Sequence, residues 1–191
     1  MHTKEKISKS LGSVAEIRFG IHSQFHSQGT ISYLQARHFS PLGDMTGLLA
    51  SFIDGDTKVN NHLLKDGDIL MAGKGAKNFA WTYRRNVGPA VASTLFYVIS
   101  VNKSIIYPEY LTSILNLPVN QVYFQKLSSS SSVASLRKKE LEEFNVPLIP
   151  LEEQKAVAKL AELHLKEMKI AEELITLKQN LYIGTISKLI N

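Results

Sequence analysis

The chain has 191 residues, 44% of them hydrophobic and 20% charged, with a mean hydropathy of −0.05; this is the profile of a soluble globular domain with something added, and it excludes a disordered tail or a membrane span. The absence of cysteine excludes disulfides, thiolate catalysis and thiolate zinc sites together, and the polar residues 1–10 do not resemble a signal peptide, so a cytoplasmic location is expected. The net charge of +5 has one origin: residues 1–150 hold 16 of the 22 basic and 11 of the 17 acidic residues, whereas 151–191 hold six of each.

Apolar runs of strand length, bounded by turn chemistry, predict strands over 14–19, 31–36, 48–53, 68–72, 77–83 and 91–101, with Asp54-Gly55 and Asp66-Gly67 as turns. Short helices are predicted over 108–116, with Pro108 in the first turn, and over 119–127. Five serines at 128–132 have the composition of a loop. A short helix near 136–144 and an extended stretch at 146–149 then lead to Pro150. From there to residue 190 the chain has no proline and one glycine, Gly184, among strong helix formers, which predicts a single helix. At 1.5 Å per residue it would span roughly 60 Å. Glu152 and Glu153 sit where the positive end of the helix dipole favours acids. Leu160, Leu174 and Leu181 recur at multiples of seven, with Leu163, Ile170 and Leu177 in the adjoining row and Met168, Ile175, Tyr182 and Leu189 widening the stripe. A helix this long overhangs a body of 150 residues, whose radius of gyration is roughly 15 Å, so the stripe is expected to meet a helical partner rather than only its own body.

Residues 69–108 carry Lys74, Lys77, Arg84, Arg85 and Lys103 and no acid, which suggests a polyanionic partner. The cluster Gly73-Lys74-Gly75-Ala76-Lys77 lacks the spacing of a phosphate-binding loop. It continues into Asn78-Phe79-Ala80-Trp81-Thr82-Tyr83-Arg84-Arg85, which is either a hairpin whose amide and guanidinium groups read base edges or a solvated basic hairpin with an aromatic inner face. The stretch Ser23-Gln24-Phe25-His26-Ser27-Gln28-Gly29 offers Gln24, His26 and Gln28 for groove contact, or is simply a polar loop. Arg37, Ser130, Arg137 and Lys138 complete the candidate DNA-binding set. The six histidines form no metal-binding pair, so neither a metal nor another cofactor is expected. Asp66 and Asp68 read as turn residues, and Glu153-Gln154-Lys155 belongs to a helix start rather than to a nuclease sheet edge. With no Gly-x-Ser-x-Gly elbow and no Asn-Pro-Pro-Tyr signature, no catalytic residue is assigned.

Several stretches taken together resemble one family. They are Leu11-Gly12-Ser13-Val14-Ala15-Glu16-Ile17-Arg18-Phe19-Gly20, Leu64-Lys65-Asp66-Gly67-Asp68-Ile69-Leu70-Met71-Ala72-Gly73-Lys74-Gly75, Pro108-Glu109-Tyr110-Leu111 with Leu115-Asn116, the closing Ile186-Ser187-Lys188-Leu189-Ile190-Asn191, and above all Leu141-Glu142-Glu143-Phe144-Asn145-Val146-Pro147-Leu148-Ile149-Pro150-Leu151-Glu152-Glu153-Gln154. The sequence resembles the specificity subunits of type I restriction-modification systems. The resemblance implies an α+β fold: a mixed-sheet target-recognition domain over 1–150, then a long coiled-coil helix over 151–191 for dimerisation and spacing. It also implies a non-catalytic subunit that binds double-stranded DNA and directs methyltransferase and restriction subunits to a bipartite site. Family members usually hold two recognition domains and two such helices, so this chain resembles half a subunit. A homodimer through Leu160, Leu163, Ile170, Leu174, Leu177 and Leu181 would supply the second half and an inverted, interrupted target. The alternatives are an assembly protein with no DNA preference and, less well supported, an enzyme fragment.

Overall fold

A computed structural model describes residues 7–40, 43–46, 51–74, 78–128 and 135–190. Its strands are β1 (Ile7–Ser10), β2 (Ala15–Phe19), β3 (Ile31–Leu34), β4 (Phe52–Ile53), β5 (Ile69–Ala72), β6 (Ala80–Thr82), β7 (Ala90–Ala92), β8 (Phe96–Val101) and β9 (Asn145–Leu148). The helices are α1 (Thr57–Asn60), α2 (Pro108–Leu115), α3 (Pro118–Ser128), α4 (Lys138–Glu142) and α5 (Leu151–Ile190). The mixed sheets and the long terminal helix are the α+β architecture that the sequence implies.

Among the described residues three small sheets form, with strand orders β1-β9, β2-β8-β5-β6 and β4-β3-β7, and β3 with β7 is the parallel strand pair. The predicted 91–101 strand is in fact two. After Ala92 the chain turns through residues 93–95 and changes sheets, because β7 pairs with β3 while β8 pairs with β2 and β5. The all-apolar burial of β5 and β7 reflects elements packed on both faces. The strand β1 was not expected, since only Ile7 of its four residues is apolar and its outer face is exposed. It forms by pairing with β9, in register from Ile7 opposite Leu148 to Ser10 opposite Asn145. The four-residue α1, capped by Asp56 accepting from the Val59 N–H at 2.7 Å, is too short to announce itself.

Two larger cores flank the central sheet. On one face Leu11, Ile17, Ile69, Ile99, Tyr110, Leu111, Leu115, Phe124 and Phe144 are buried among α2, α3 and α4. On the other, Phe96 packs edge-on against Phe39 and Phe79, with ring centroids 5.5 and 5.9 Å away. Of the predicted serine loop, Ser128 ends α3 and is buried, and residues 129–132 lie outside the described residues.

The start of α5 is fixed to the body through its two buried residues, Gln154 and Ala158. Gln154 is fully buried, accepts the Tyr107 N–H at 2.8 Å, and donates to the Ile105 and Ile149 carbonyls at 2.9 and 2.8 Å. These bonds hold the helix start against the entry to α2 and satisfy the buried amide. Beyond Ala158 every α5 side chain except half-buried Ala161 is exposed.

Candidate nucleic-acid interface

The sheets bring many strand ends to one rim. There β2, β3, β5 and β7 end and β6 and β8 begin, tied by Gly20 N–H to Phe96 O (3.0 Å), Ile21 N–H to Ala92 O (2.8 Å), Ser93 N–H to Leu34 O (2.9 Å) and Gly73 N–H to Leu95 O (3.0 Å). Two glycines permit this closeness: a Cβ on Gly20 would stand 2.1 Å from Ser93 O, and one on Gly73 would stand 2.4 Å from the Tyr97 ring. Lys74 leaves β5 at this rim, exposed, and bridges to Ser135. The Leu136 N–H bonds Gly73 O at 2.8 Å, which brings Arg137 alongside.

Arg37 stands on the same rim, in the 3-10 turn Ala36–His38 that follows β3. The Phe52 and His26 main chains exchange hydrogen bonds of 2.8 and 2.9 Å, folding the 23–28 loop over β4. Phe25, 42% exposed, stacks on Tyr33 from that loop, and the Arg37 guanidinium carbon lies 4.9 Å from the Phe25 ring centre. Arg37 Nη2 donates to Ser51 Oγ at 2.5 Å, and Ser51 Oγ donates to Gln35 Oε1 at 3.2 Å. His38 Nε2 is 3.4 Å from the same hydroxyl, while His38 Nδ1 accepts the Gln35 N–H at 3.1 Å. Nδ1 is therefore an acceptor, and the proton of the neutral ring sits on Nε2, facing Ser51. That tautomer cannot take a proton from the serine, so the pair is structural rather than a nucleophile with its base. Burial, followed by the nearby Arg37 charge, pushes the His38 pKa below its ordinary value. Gln24, His26 and Gln28 are exposed on the loop, with His26 Nε2 3.7 Å from Asp54 Oδ2.

The predicted basic hairpin divides. Arg84 and Arg85 follow β6 at the opposite end from Lys74, so they are not at the hairpin tip. Arg84 is 3.4 Å from Asp66 and is also paired with Glu109; the Arg85 N–H bonds Asp66 Oδ1 at 3.0 Å, and Lys103 Nζ donates to Asp66 O at 2.6 Å. The Arg85 main-chain bond, helped by the positive charges of Arg84, Lys103 and Arg85, holds the Asp66 carboxyl below its ordinary range. Asn78 is also placed differently from expectation: it is buried, and its amide donates to Ala72 O at 2.7 Å, tying the hairpin end together. Asp68 proves to be an internal anchor as well as a turn neighbour, accepting from Ser100 Oγ at 2.7 Å and the Lys65 N–H at 2.9 Å and pairing with Arg18 at 3.4 Å. Arg137 pairs with Glu140 at 3.2 Å and Lys138 with Glu142 at 3.4 Å. Lys77 and Ser130 lie outside the described residues. Phe25 and Ser51 were not singled out from sequence as site residues; the aromatic inside an otherwise polar loop was the signal for the first, and Ser51 had none.

The six predicted dimerisation residues share one condition. Leu160 is 68% exposed, Leu163 51%, Ile170 66%, Leu174 49%, Leu177 65% and Leu181 71%. At its inner end this stripe runs into an apolar groove between α2 and α5, lined by Trp81, Thr112, Val157, Leu160 and Leu163. Further out, Lys169 pairs with Asp44 at 3.1 Å and holds the helix to the loop after Arg37's turn.

The model of the type I restriction modification DNA specificity domain matches residues 4–179. The chain belongs to this family. Its fold is similar to that of the HsdS subunit from Thermoanaerobacter tengcongensis, with a TM-score of 0.61 at 15% identity over 91% of this chain and 42% of that one. It is equally similar to the type I restriction-modification S subunit from M. genitalium, with a TM-score of 0.60 at 10% identity over 94% of this chain and 44% of the other. A third match, at TM-score 0.59 and 16% identity over 91% and 43% of the two chains, comes from structural work on complex assembly and conformational transition of the type I R-M system. This specificity-domain chain therefore spans less than half the length of the solved chains it matches. No curated protein matches it.

Proposed function

We propose that this chain is the DNA-recognition subunit of a type I restriction-modification system, acting as a homodimer with no covalent chemistry of its own. Residues 1–150 serve as the target-recognition domain and 151–191 as the dimerisation and spacer helix. The family match over residues 4–179 carries the DNA part of the proposal. The dimer is supported by the exposed stripe on a helix whose first turns are locked to the body. Antiparallel pairing would set two recognition domains at opposite ends of a rod roughly 60 Å long and demand an inverted target with a constant gap. The methyltransferase and restriction subunits would assemble on this rod in the cytoplasm. Each domain discriminates through few base pairs, at about 1–3 kcal/mol per lost contact, so two joined rigidly discriminate far better than one.

The test is selection from a randomised duplex library, using the full chain together with its methyltransferase subunit. Two short inverted elements at a constant spacing are expected. A single or asymmetric element would retain recognition and dismiss the symmetric dimer; no enrichment by a folded, assembled complex would leave the chain an assembly protein. Lys74→Glu should weaken binding to all sequences alike and reduce the slope of log affinity against log salt by about one.

A further inference from the structure

The five arginines of this chain occupy different electrostatic situations. Arg18 is paired with Asp68, Arg84 with Asp66 and Glu109, and Arg137 with Glu140. The charge of Arg85 stands beside the Asp66 carboxylate, and among the described residues no side-chain hydrogen bond fixes its guanidinium. Arg37 alone, among the described residues, combines a fixed guanidinium with no carboxylate partner. Its Nη2 is held by Ser51 Oγ at 2.5 Å and its guanidinium carbon lies over the exposed Phe25 ring, 4.9 Å from the ring centre. Ser51 is itself fully buried and fixed by Gln35 and His38, so the anchor cannot swing.

A base-reading arginine needs this combination. Rotamer freedom lost before binding is not lost again on binding, and a guanidinium without an acid has N–H donors to give. Arginine donates two parallel hydrogen bonds to the O6 and N7 acceptors of guanine in the major groove, a pattern no other base pair presents. We propose that Arg37 is a specificity-determining residue that reads a guanine, with Phe25 and Ser51 as the groups that position it. This rests on the DNA-recognition function proposed above. Lys74, a single ammonium on the same rim, has the chemistry of a phosphate contact and supplies no base preference.

The experiment compares library selection and duplex affinity for the full chain with its methyltransferase subunit, as wild type, Arg37→Ala, Arg37→Lys and Ser51→Ala. Wild type should require guanine at one position of each half-site. Arg37→Ala should lose that preference and no other, with affinity for the selected duplex falling roughly 5- to 150-fold. Arg37→Lys keeps the charge and should lose the same preference, and Ser51→Ala should weaken it while leaving the salt slope unchanged. Replacing that guanine with 7-deazaguanine, which lacks the N7 acceptor, should weaken wild type and leave Arg37→Ala unaffected; if Arg37→Ala misfolds, the charge-keeping Arg37→Lys variant takes its place in this comparison. Unchanged preference in Arg37→Ala, or a uniform loss of affinity with preference intact, overturns the assignment and makes Arg37 a phosphate contact at most. If wild type selects no sequence, the DNA-recognition function itself fails, an outcome distinct from a guanine preference that survives without Arg37.

Discussion

The body and the helix use the same side chains under opposite conditions. Leu11, Leu34, Leu70, Leu111 and Leu115 are wholly buried in the body, while Leu160, Leu163, Leu174, Leu177 and Leu181 on α5 keep about half or more of their surface in water. The body closes its cores within one chain. The helix beyond Ala158 does not, and its backbone hydrogen bonds alone make a marginal structure in water. Withdrawing the six exposed leucine and isoleucine side chains of two helices from water would contribute roughly 10–20 kcal/mol, against about 4–15 kcal/mol for the lost freedom of association. The stability of the body is therefore intramolecular, and that of the helix would depend on concentration in the dimer proposed above.

The sharpest way to break this contrast is to charge the stripe. Replacing Leu174 and Leu177 with glutamate should convert the dimer to monomer in light scattering, lowering the association constant by more than about 100-fold, with the near-ultraviolet dichroism of the body unchanged. An intact dimer would mean that another face pairs. The converse substitution, Phe96→Ala, removes a ring that is 1% exposed between Phe39 and Phe79. It should cost about 3–5 kcal/mol in denaturant unfolding of the body, whereas a Leu177→Ala control should leave monomer stability nearly unchanged.

Gln154 lies on the border between the two regions and sharpens the comparison. Gln154→Leu leaves the Tyr107 N–H and the Ile105 and Ile149 carbonyls without their partner. The loss expected is about 2–3 kcal/mol. If Gln154 is the joint, the variant should still dimerise but select DNA elements with a less sharply defined gap, because the helix start is no longer held to α2. A gap as sharp as that of the wild type would show that Lys169 and Asp44, or the partner subunits, fix the rod instead.

The helix was legible because its signal is local and long: forty residues without proline, with a repeating stripe, can do little else. The central strands were legible from apolar runs. What escaped was set by partners distant in sequence. Nothing in Ile7-Ser8-Lys9-Ser10 marks a strand until Val146 and its neighbours offer an edge, and nothing in 91–101 marks the point where the chain must leave one sheet for another. The division of the basic hairpin escaped in the same way. Charge was visible along the sequence, but the acids that neutralise Arg84 come from residue 66 and from α2, and only the fold brings them there. Arg37, one basic residue among many in the sequence, is distinguished by Ser51 and Phe25, respectively fourteen and twelve residues away.

The smallest expected effect concerns that same cluster. The folded pKa of His38 lies below the ordinary 6.5, through burial first and the Arg37 charge second. As the pH falls the unfolded chain therefore takes up this proton before the folded one does. The contribution of neutral His38 to stability is complete above about 6.5 and is lost as the pH drops toward the lower folded value. Protonation also places a hydrogen on Nδ1, where the Gln35 N–H now donates, so the imidazolium forfeits that bond while standing beside a guanidinium. Thermal unfolding between about pH 7.5 and about pH 5 should thus fall more steeply for wild type than for His38→Gln, which cannot titrate. His62, whose pKa is also lowered by burial and by Arg18 and Lys58, is common to both proteins and drops out of the difference. Equal slopes would show that His38 is already free to turn toward solvent, and the anchor of Arg37 would then rest on Gln35 and Ser51 alone.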